Sequence, residues 1–424
     1  MRDLVDLARR MAATALAAVD PERLVREPLA RRGERFPAVL AVGKAAPAMA
    51  RGALPFLEPA ARRLLIRPHT SPGLLDPAWE QLSGGHPLPD RQSLAAGARL
   101  LGWLAELPPP RPLLALISGG ASACLEAPAA GLTLHDLAAT QEALLGSGLA
   151  IDRVNAVRKH LSALKGGGAL RATRTRVVAL LLSDVPGDDP ATIASGPFAA
   201  DPTTFAEALA SVSTIGGLPG VPEAVRRHLA RGARGELPET LEPGDPALER
   251  VESLLIGSVA TAMAAAVAEA RRRGMTVGEG ELTGEAAEAA CLMVAKGRAM
   301  PGPRVALVLG GETTVTLAGA AGSGGRNQEL ALAAARELAG SGDEVAVALA
   351  SDGVDGPTRF AGGLVHGGTW EAIRRAGLDP ASSLARHDAQ RALAAVPGAL
   401  LETGPTGTNV SDLAIYLRMA PSTG

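Results

Sequence analysis

Lysine is rare in this sequence, so its few lysines are candidates for chemistry. Of the 42 basic residues, only Lys44, Lys159, Lys165 and Lys296 are lysines. Lys44 follows Gly43 between an apolar run and a segment of helical period, where backbone N–H groups and the helix dipole favour an anion. The expected role is neutralisation of a phosphate or carboxylate, with a solvated surface lysine as the alternative. The spacing of a G-x-x-x-x-G-K-[ST] phosphate loop is absent.

A glycine-rich segment, Ser118-Gly119-Gly120-Ala121-Ser122, follows another apolar run. Small residues let the backbone approach a ligand closely, and successive N–H groups can form a concave anion site. We therefore expect this segment to contact a phosphate group or an acidic substrate. A tight turn that needs glycine for its own geometry would have the same sequence, so both interpretations stay open.

The segment from Asn155 to Lys165 carries more of the rare side chains. On a helix, Asn155 and Lys159 lie one turn apart on the same face, and both are candidates for ligand contact. Lys165 precedes three glycines, so we expect it at the C-terminal end of this helix, where a cation is favoured. A solvated basic face is the competing interpretation.

Carboxylates follow two strongly apolar runs. Asp184 comes directly after the first run, with Asp188 and Asp189 close behind it, and Asp352 follows the second run. One carboxylate can accept the proton of a substrate hydroxyl group while others bind Mg²⁺. Asp184, Asp188 and Asp352 are accordingly the expected metal ligands. Aspartate before glycine or proline also forms turns, which is the alternative for Asp188 and Asp189.

Polar loops adjoin apolar runs in the C-terminal half as well. The loop Gly322–Gly325 leads into Arg326 and Asn327 at a predicted helix N-terminus, where free N–H groups, the dipole and the guanidinium all favour an anion. Asp355 supplies a further carboxylate near Asp352. The predicted substrate or nucleotide contacts in this half are Glu312, Asn327, Thr408 and Asn409.

Short apolar runs alternate with Ala-, Leu- and Arg-rich segments of helical period along the chain. Strands that alternate with helices form a parallel sheet covered on both faces, and ligands bind at the carboxyl ends of its strands. The predicted strands are Ala38–Val42, Arg63–Ile66, Leu113–Ile117, Val177–Leu182, Leu254–Ile256, Arg304–Leu309, Thr313–Leu317 and Val345–Ala350.

A division of the chain is expected near residues 230–250, which are rich in Gly, Pro and Glu and are typical of a linker. We therefore predict an α/β protein with two three-layer α/β/α lobes, mostly parallel sheets and a cleft between the lobes. The boundaries are residues 1–237 for a Rossmann-like N-terminal lobe and residues 238–424 for a C-terminal α/β lobe.

Composition excludes several classes of protein. The 424 residues are 47% apolar and 20% charged, with a formal net charge of −2 and two cysteines. This apolar content excludes a disordered chain, and the missing basic excess argues against a nucleic-acid binder. Two cysteines favour a reducing, cytoplasmic setting. We expect Met1–Asp20 to form an amphipathic helix rather than a signal peptide, and no apolar run is long enough to cross a membrane.

Eight short strings together resemble the class of glycerate kinases that share the leucine-rich "multi-organism fragment" (MOFRL) domain. They extend from Gly43 to Asn409: Gly43-Lys44-Ala45, Gly84-Gly85-His86-Pro87, Ile117-Ser118-Gly119-Gly120-Ala121-Ser122, Asn155-Ala156-Val157-Arg158-Lys159-His160, Ser183-Asp184-Val185-Pro186-Gly187-Asp188, Gly324-Gly325-Arg326-Asn327-Gln328-Glu329, Ser351-Asp352-Gly353 and Thr403-Gly404-Pro405-Thr406-Gly407-Thr408-Asn409. The resemblance implies an ATP- and Mg²⁺-dependent kinase that converts D-glycerate to 2-phosphoglycerate, with the MOFRL domain in the C-terminal lobe.

The resemblance further implies that Lys44, Asp184 and Arg326 are catalytic. In this hypothesis Lys44 and Arg326 neutralise the moving phosphoryl group and the glycerate carboxylate, while Asp184 accepts or orients the hydroxyl proton. Such transfer depends mostly on positioning and electrostatics. The expected partners are the small molecules D-glycerate and ATP, not nucleic acid or a membrane, and the protein would act as a monomer or homodimer.

Two rival functions are considered. A hydroxypyruvate reductase with a nicotinamide cofactor would need a G-x-G-x-x-G fingerprint after a strand, and the turn at Gly43 lacks its later glycines. A non-catalytic sensor of a sugar phosphate or an acid would not need several carboxylates at strand ends. Both rank below the kinase.

Overall fold

The computed structural model describes residues 1–213, 219–317, 319 and 322–419. The chain forms two compact units, Pro21–Ile256 and a second unit of Met1–Asp20 with Gly257–Gly424. This division differs from the predicted boundary at residue 237 in two ways: the first helix belongs to the C-terminal unit, and the segment after residue 237 belongs to the N-terminal unit. We call the units the N-unit and the C-unit.

The N-unit contains six strands and nine α-helices in its described residues. Three short 3₁₀ helices, Leu54–Phe56, Ile193–Ser195 and Pro246–Arg250, join them. In chain order, with numbering that begins at α2 because α1 belongs to the C-unit and is given below, the elements are α2 (Pro21–Arg32), β1 (Phe36–Val42), α3 (Ala46–Ala53), β2 (Leu57–Pro68), β3 (Glu80–Gly84), α4 (Arg91–Ala105), β4 (Leu113–Ser118), α5 (Ala121–Cys124), α6 (Leu134–Leu145), α7 (Ile151–His160), α8 (Gly168–Arg171), β5 (Val177–Leu182), α9 (Phe205–Ser213), α10 (Glu223–Ala233) and β6 (Val251–Gly257).

The sheet of the N-unit has the strand order β3-β2-β1-β4-β5-β6. The pairs β3–β2, β2–β1, β1–β4 and β4–β5 are all parallel. Every residue of β4 and β5 is buried, which is expected of parallel strands covered on both faces. The carboxyl ends of β1, β4 and β5 therefore adjoin one another, and the predicted site residues Lys44, Ser118 and Asp184 lie beside them.

A separate helical core lies within the same unit. Apolar side chains of α6, α7, α9 and α10, among them Val157, Phe205 and Leu229, pack together away from the sheet core. The predicted linker is not a free tether, because Leu241 is fully buried and its backbone exchanges hydrogen bonds with Gly166 and Asp201. A composition rich in Gly, Pro and Glu here marks an irregular but packed segment.

The elements of the C-unit are α1 (Arg2–Ala18), α11 (Val259–Arg272), β7 (Thr276–Leu282), α12 (Ala286–Ala299), β8 (Arg304–Gly311), α13 (Arg326–Glu337), β9 (Glu344–Ala350), β10 (Gly362–His366), α14 (Thr369–Arg375), α15 (Pro380–Ala385), α16 (Ala389–Ala394), β11 (Leu400–Leu401) and β12 (Asp412–Met419). The amphipathic helix predicted for Met1–Asp20 is α1, which buries Leu4, Leu7 and Met11 and contacts β9, β12 and α11.

The sheet of the C-unit corrects one expectation. Its order is β11-β10-β9-β12-β8-β7, and only the β7–β8 pair is parallel. The last strand, β12, lies between β8 and β9 and is antiparallel to both, and β10 is antiparallel to β9 and β11. The α/β class is confirmed, but this sheet is mixed rather than mostly parallel. The predicted strand Thr313–Leu317 is an isolated bridge between Thr314 and Glu285.

Helices cover the C-unit sheet as well. Side chains of α12, α13, α14 and α16 pack against alternating residues of β8, β9 and β12, including Leu307, Ala348 and Tyr416. All of β9 is buried, so its opposite face is also covered. Among the helices in the described part of the chain, none has the length and apolar character required to cross a lipid bilayer.

Candidate functional site

Two turns of the N-unit are joined at the ends of β1 and β4. The backbone N–H of Lys44 donates to the carbonyl of Gly119 at 2.9 Å. The hydroxyl of Ser118 donates to the carbonyl of Val42 at 3.2 Å and accepts from the N–H of Ala45 at 3.0 Å. Ser118 is fully buried, so its side chain holds the two turns together. The hydroxyl group of Ser118 is therefore not available to a ligand. A ligand contact with the predicted loop would have to be made by its other residues.

Three polar side chains meet around Gly119 and Gly120. A Cβ at Gly119 would collide with the carboxylate of Asp184, so only glycine lets Asp184 lie over this turn. Gly120 has a φ of +79°, and a Cβ there would lie 3.0 Å from Cγ of Lys44 and 3.3 Å from Cδ2 of His86. Lys44, Asp184 and His86 therefore surround the predicted loop. Lys44 and Asp184 are half-buried, whereas His86 is exposed.

His86 is absent from the sequence-based set of site residues. It follows β3 at the edge of the sheet, in the string Gly84-Gly85-His86-Pro87, and that string was the available signal. Ala121, by contrast, is buried at the start of α5 and offers only its backbone.

Ser122 connects the loop to two other segments. Its hydroxyl accepts a hydrogen bond from Nη2 of Arg158 at 2.7 Å and lies 2.9 Å from the hydroxyl of Ser195. Ala194, Ser195 and Gly196 all have left-handed backbone conformations, with φ of 53°, 62° and 64°. Non-glycine residues rarely adopt this conformation, and it is concentrated at functional sites.

The lysines that follow in the chain are used in buried ion pairs. Lys159 donates to Asp201 at 3.1 Å, and both side chains are almost fully buried. The shared face of Asn155 and Lys159 is confirmed, but it is a buried face, so a solvated ligand contact by Lys159 is not what the geometry favours. Helix α7 ends at His160, and Lys165 pairs with buried Glu126 instead of lying at the helix end.

The aspartates in the turn after β5 have different structural roles. Asp189 accepts from the N–H of Ala191 at 3.0 Å and from the hydroxyl of Thr192 at 3.2 Å, as the turn alternative predicts. Asp188 has a φ of 54°. Asp352 belongs to the C-unit, so the predicted metal ligands are divided between the units. Across residues 1–213, 219–317, 319 and 322–419, no three His, Cys, Asp or Glu side chains form a cluster suited to a metal ion.

Arg326 in the C-unit is held by two carboxylates. Its Nε and Nη2 donate to Asp412 at 2.5 and 3.2 Å, and its Nη1 lies 2.5 Å from Glu312. Asp412 begins β12 opposite Gly311 of β8 and Ala350 of β9, which explains why these residues converge. Burial raises the pKa of Asp412 to about 6, although the Arg326 guanidinium acts in the opposite direction. Asp412 was not among the predicted site residues, because the antiparallel pairing that places it beside Arg326 was not predicted.

The predicted anion site at the start of α13 is filled by the chain itself. Asp355 accepts from the N–H groups of Asn327 and Gln328 at 3.0 and 2.8 Å and from the side-chain amide of Asn327 at 3.2 Å. Asn327 is fully buried and serves this contact. Burial raises the pKa of Asp355, and the helix N–H groups counteract that rise. The helix terminus therefore binds an internal carboxylate rather than offering its N–H groups to a ligand.

The turn after β9 packs against the loop before β12. Val410 donates to the hydroxyl of Ser351 at 2.8 Å, and the hydroxyl of Thr406 donates to the carbonyl of Ser351 at 2.6 Å. Thr408 and Asn409 are buried in this loop, and Asp352 is half-buried beside it, its carboxylate accepting from Val354 at 3.0 Å. The structure thus brings Asp352 together with the loop that holds Thr408 and Asn409, because β12 runs antiparallel to β9 and begins where β9 ends.

A cavity of about 550 Å³ adjoins Arg326 in the C-unit. Its lining includes Glu312, Thr313, Glu329 and His387, together with glycines of the predicted loop. Glu329 is buried and lies 2.9 Å from Nδ1 of His387. The N-unit and the C-unit therefore each combine a cation, a carboxylate and glycine-rich backbone at strand ends.

Similar proteins are known for almost the whole chain. Residues 7–230 match a "Domain of unknown function (DUF4147)", and residues 305–412 match the "MOFRL family". A glycerate 2-kinase from Pyrococcus horikoshii is 37% identical, with 98% of this chain and 97% of that protein covered. A D-glycerate 2-kinase from Thermotoga maritima is 38% identical, with 98% of each chain covered.

Two further comparisons extend this picture. The crystal structure of a glycerate kinase from Thermotoga maritima has a TM-score of 0.87 and 38% identity, and covers 99% of this chain and 100% of that chain. A relative from Agrobacterium vitis is 38% identical over 96% of this chain and 93% of its own length, and is provisionally named a hydroxypyruvate reductase.

Fold and site together define a class of two-unit α/β proteins that join a DUF4147 region to a MOFRL region. The chain belongs to the MOFRL glycerate kinase family, which confirms the resemblance seen in its sequence motifs.

Proposed function

We propose that this protein is a glycerate 2-kinase, which transfers the γ-phosphoryl group of ATP to the 2-hydroxyl group of D-glycerate with Mg²⁺ as cofactor. The names of the relatives from Pyrococcus horikoshii and Thermotoga maritima support this activity, because the similarity extends over nearly the whole of each chain. The observation that carries the proposal is the meeting of Lys44 and Asp184 around Gly119 and Gly120.

This arrangement suits phosphoryl transfer. Negative charge is spread over the phosphoryl oxygens in the transition state, so catalysis requires fixed cations and correct positioning more than covalent chemistry. Lys44 would neutralise that charge, and Asp184 would accept the proton of the substrate hydroxyl group. Arg326 would be the second cation, and its two carboxylate partners, Asp412 and Glu312, would fix its orientation.

The residues of the N-unit also fit a magnesium ion that arrives with the nucleotide. Mg²⁺ is commonly bound by one or two carboxylates together with phosphate oxygens rather than by an all-protein cage. The half-buried carboxylate of Asp184 over Gly119 is a suitable ligand, and Asp188 follows in the same turn. The bound ion would supply charge neutralisation of the phosphates. Asp352 is the candidate ligand in the C-unit.

Reduction of hydroxypyruvate is the second candidate, because the Agrobacterium vitis relative carries that provisional name. The turn after β1 reads Gly43-Lys44-Ala45-Ala46, which lacks the second and third glycines of a dinucleotide fingerprint. A lysine and an aspartate around the next turn are not required for hydride transfer from a nicotinamide. Oxidation of NADH by hydroxypyruvate with the purified protein would support this candidate.

The proposed function is tested by identifying the product. Incubation of the purified protein with ATP, Mg²⁺ and D-glycerate should give 2-phosphoglycerate, recognised by phosphorus NMR. Lys44→Ala and Arg326→Ala should each lower turnover by about 100- to 1000-fold, by analogy with the loss of one transition-state charge contact. Lys296→Ala, which removes an exposed lysine of α12, is the matched control and should retain normal turnover. Formation of 3-phosphoglycerate, or ATP consumption that does not depend on glycerate, would contradict the proposal.

A further inference from the structure

Arg158 is a half-buried cation that has no carboxylate partner among the residues that the structure describes. It lies on α7, and its Nη2 donates to the hydroxyl of Ser122. In the part of the chain that the structure describes, this is the hydrogen bond that Arg158 makes, and no carboxylate lies within 4 Å of its guanidinium. A guanidinium has five N–H donors, so most of its donor capacity is not used by the protein.

The nearby carboxylate cannot serve as the missing partner. One oxygen of Glu126 accepts from Lys165, and the other accepts from the N–H of Ala127 at 3.0 Å and the hydroxyl of Ser162 at 2.6 Å. Two cations, Arg158 and Lys165, thus share one carboxylate in a poorly solvated region. Burial lowers the pKa of both, and Glu126 only partly offsets this effect. An uncompensated cation in such surroundings is stabilised by an anion.

The position of Arg158 connects it to the proposed catalytic residues. Ser122, its hydrogen-bond partner, is two residues beyond Gly120, which contacts Lys44 and His86. Ser122 also contacts Ser195, whose left-handed backbone conformation is of the strained kind found at functional sites. Arg158 and Ser122 both line a cavity of about 20 Å³. That space is about the size of one water molecule, and it lies beside Arg158 and Ser122.

We propose that Arg158, together with Ser122 and Ser195, binds the carboxylate group of the acceptor substrate. A guanidinium matches a carboxylate in a bidentate, charge-assisted arrangement. The two hydroxyl groups together supply one further donor, because the proton of one of them is used in the hydrogen bond between Ser122 and Ser195. Lys44 and Asp184 would then act at the hydroxyl end of the same small molecule. This inference rests on the proposed function, since it assigns the carboxylate end of D-glycerate to Arg158 and Ser195, which had no role in it, and to Ser122 of the predicted loop.

The test compares acceptors with and without a carboxylate. Arg158→Ala should raise the KM for D-glycerate by roughly 10- to 100-fold, the range for hydrogen bonds to a charged group, and leave the KM for ATP unchanged. The kcat/KM for glycerol, which has the same central hydroxyl group but no carboxylate, should be the same in Arg158→Ala as in the wild type. The inhibition constant of 3-hydroxypropionate should rise by the same factor as the KM for D-glycerate. Arg153→Ala, an exposed arginine on the same helix, is the control and should change none of these values.

Other outcomes overturn the inference. A rise in the KM for ATP instead of D-glycerate would assign Arg158 to a nucleotide phosphate, and unchanged values for both would assign it to structure alone. If Arg158→Ala fails to fold, Arg158→Lys keeps the charge without the bidentate geometry, and an unaltered KM for D-glycerate there would exclude the proposed contact. Calorimetric measurement of D-glycerate binding without nucleotide separates the two proposals. If the wild type binds D-glycerate but forms no phosphoglycerate, and Arg158→Ala weakens that binding, the carboxylate site would be supported and the kinase activity refuted.

Discussion

The glycine-rich turns of the N-unit and the C-unit look alike in sequence but are used differently. At Gly119, glycine makes room for the half-buried carboxylate of Asp184, and Lys44 and His86 lie beside the same turn. At Gly325, glycine makes room for Asp355, which is 2% exposed and accepts hydrogen bonds from the first N–H groups of α13. A glycine-rich turn before a helix therefore indicates an anion, but the anion can belong to the chain itself.

The cations of the two units show the same contrast. Arg326 of the C-unit is fixed by Asp412 and Glu312, and Lys159 and Lys165 of the N-unit are fixed by buried Asp201 and Glu126. Scarcity of a residue type thus selects side chains that matter, without telling catalytic side chains from those that stabilise the fold.

The largest effect is expected at Lys159, as a loss of stability. Lys159→Met would leave the buried carboxylate of Asp201 without its cation, and one oxygen of Asp201 already lacks a hydrogen-bond partner within the described residues. Breaking a buried ion pair in this way costs about 3–5 kcal/mol of unfolding free energy. Urea unfolding at pH 7 measures the loss, and Lys159→Met combined with Asp201→Leu should recover much of it. A stable Lys159→Met protein with a raised KM for D-glycerate would instead restore the binding role predicted from sequence.

The second prediction compares the two glycines directly. Gly119→Ala forces the carboxylate of Asp184 aside, and because that side chain is half-buried it can move, so stability should change little. Turnover should fall by about 100-fold, the cost of displacing a reacting group by roughly 1 Å. Gly325→Ala meets the backbone of Asp355, which cannot move so easily, and should lower the unfolding free energy by about 1–3 kcal/mol.

A matched glycine controls both variants. Gly102 lies in α4 with no atom within 4 Å of an added Cβ, so Gly102→Ala should leave turnover unchanged and slightly stabilise the helix. Paired measurements of unfolding in urea and of initial rates distinguish the variants. Equal losses of stability for Gly119→Ala and Gly325→Ala would contradict the difference drawn between the two turns.

Much of the fold was predictable from local pattern. The runs that become β1, β4, β5, β8 and β9 are apolar except at a few terminal positions, and strands buried on both faces have this composition because neither face meets water. The direction of β12 was not predictable in the same way. It pairs with β8 and β9, which lie far from it in sequence, and an apolar run carries no information about the direction of its neighbours.

The candidate site residues likewise fall into those that the sequence could predict and those that it could not. Lys44, Asp184 and the Gly119-Gly120 turn could be predicted from the sequence. Each is an unusual residue or turn at the end of a strand, and parallel strands bring those ends together. The partners Asp201, Asp355 and Asp412 were not assigned, since each meets its cation or helix from a distant part of the chain. Ionic pairing across such separations depends on tertiary structure, so a sequence pattern predicts the charged residue better than its partner.

The most gradual effect is expected in the pH dependence of stability at Asp412. Its pKa is raised from 3.8 to about 6, mainly by burial, so the folded state binds a proton more tightly than the unfolded state does. The stability that this group contributes is therefore fully present below the unfolded pKa and is lost as the pH rises from about 4 to about 7. Asp412→Asn cannot titrate and should lack this decline, which is about 3 kcal/mol. Unfolding free energies of the wild type and the variant, measured at intervals across this range, should diverge steadily with increasing pH. Parallel curves would mean that Arg326 keeps Asp412 ionised throughout, and the C-unit cation would then be bound by its carboxylates as firmly as Lys159 is bound in the N-unit.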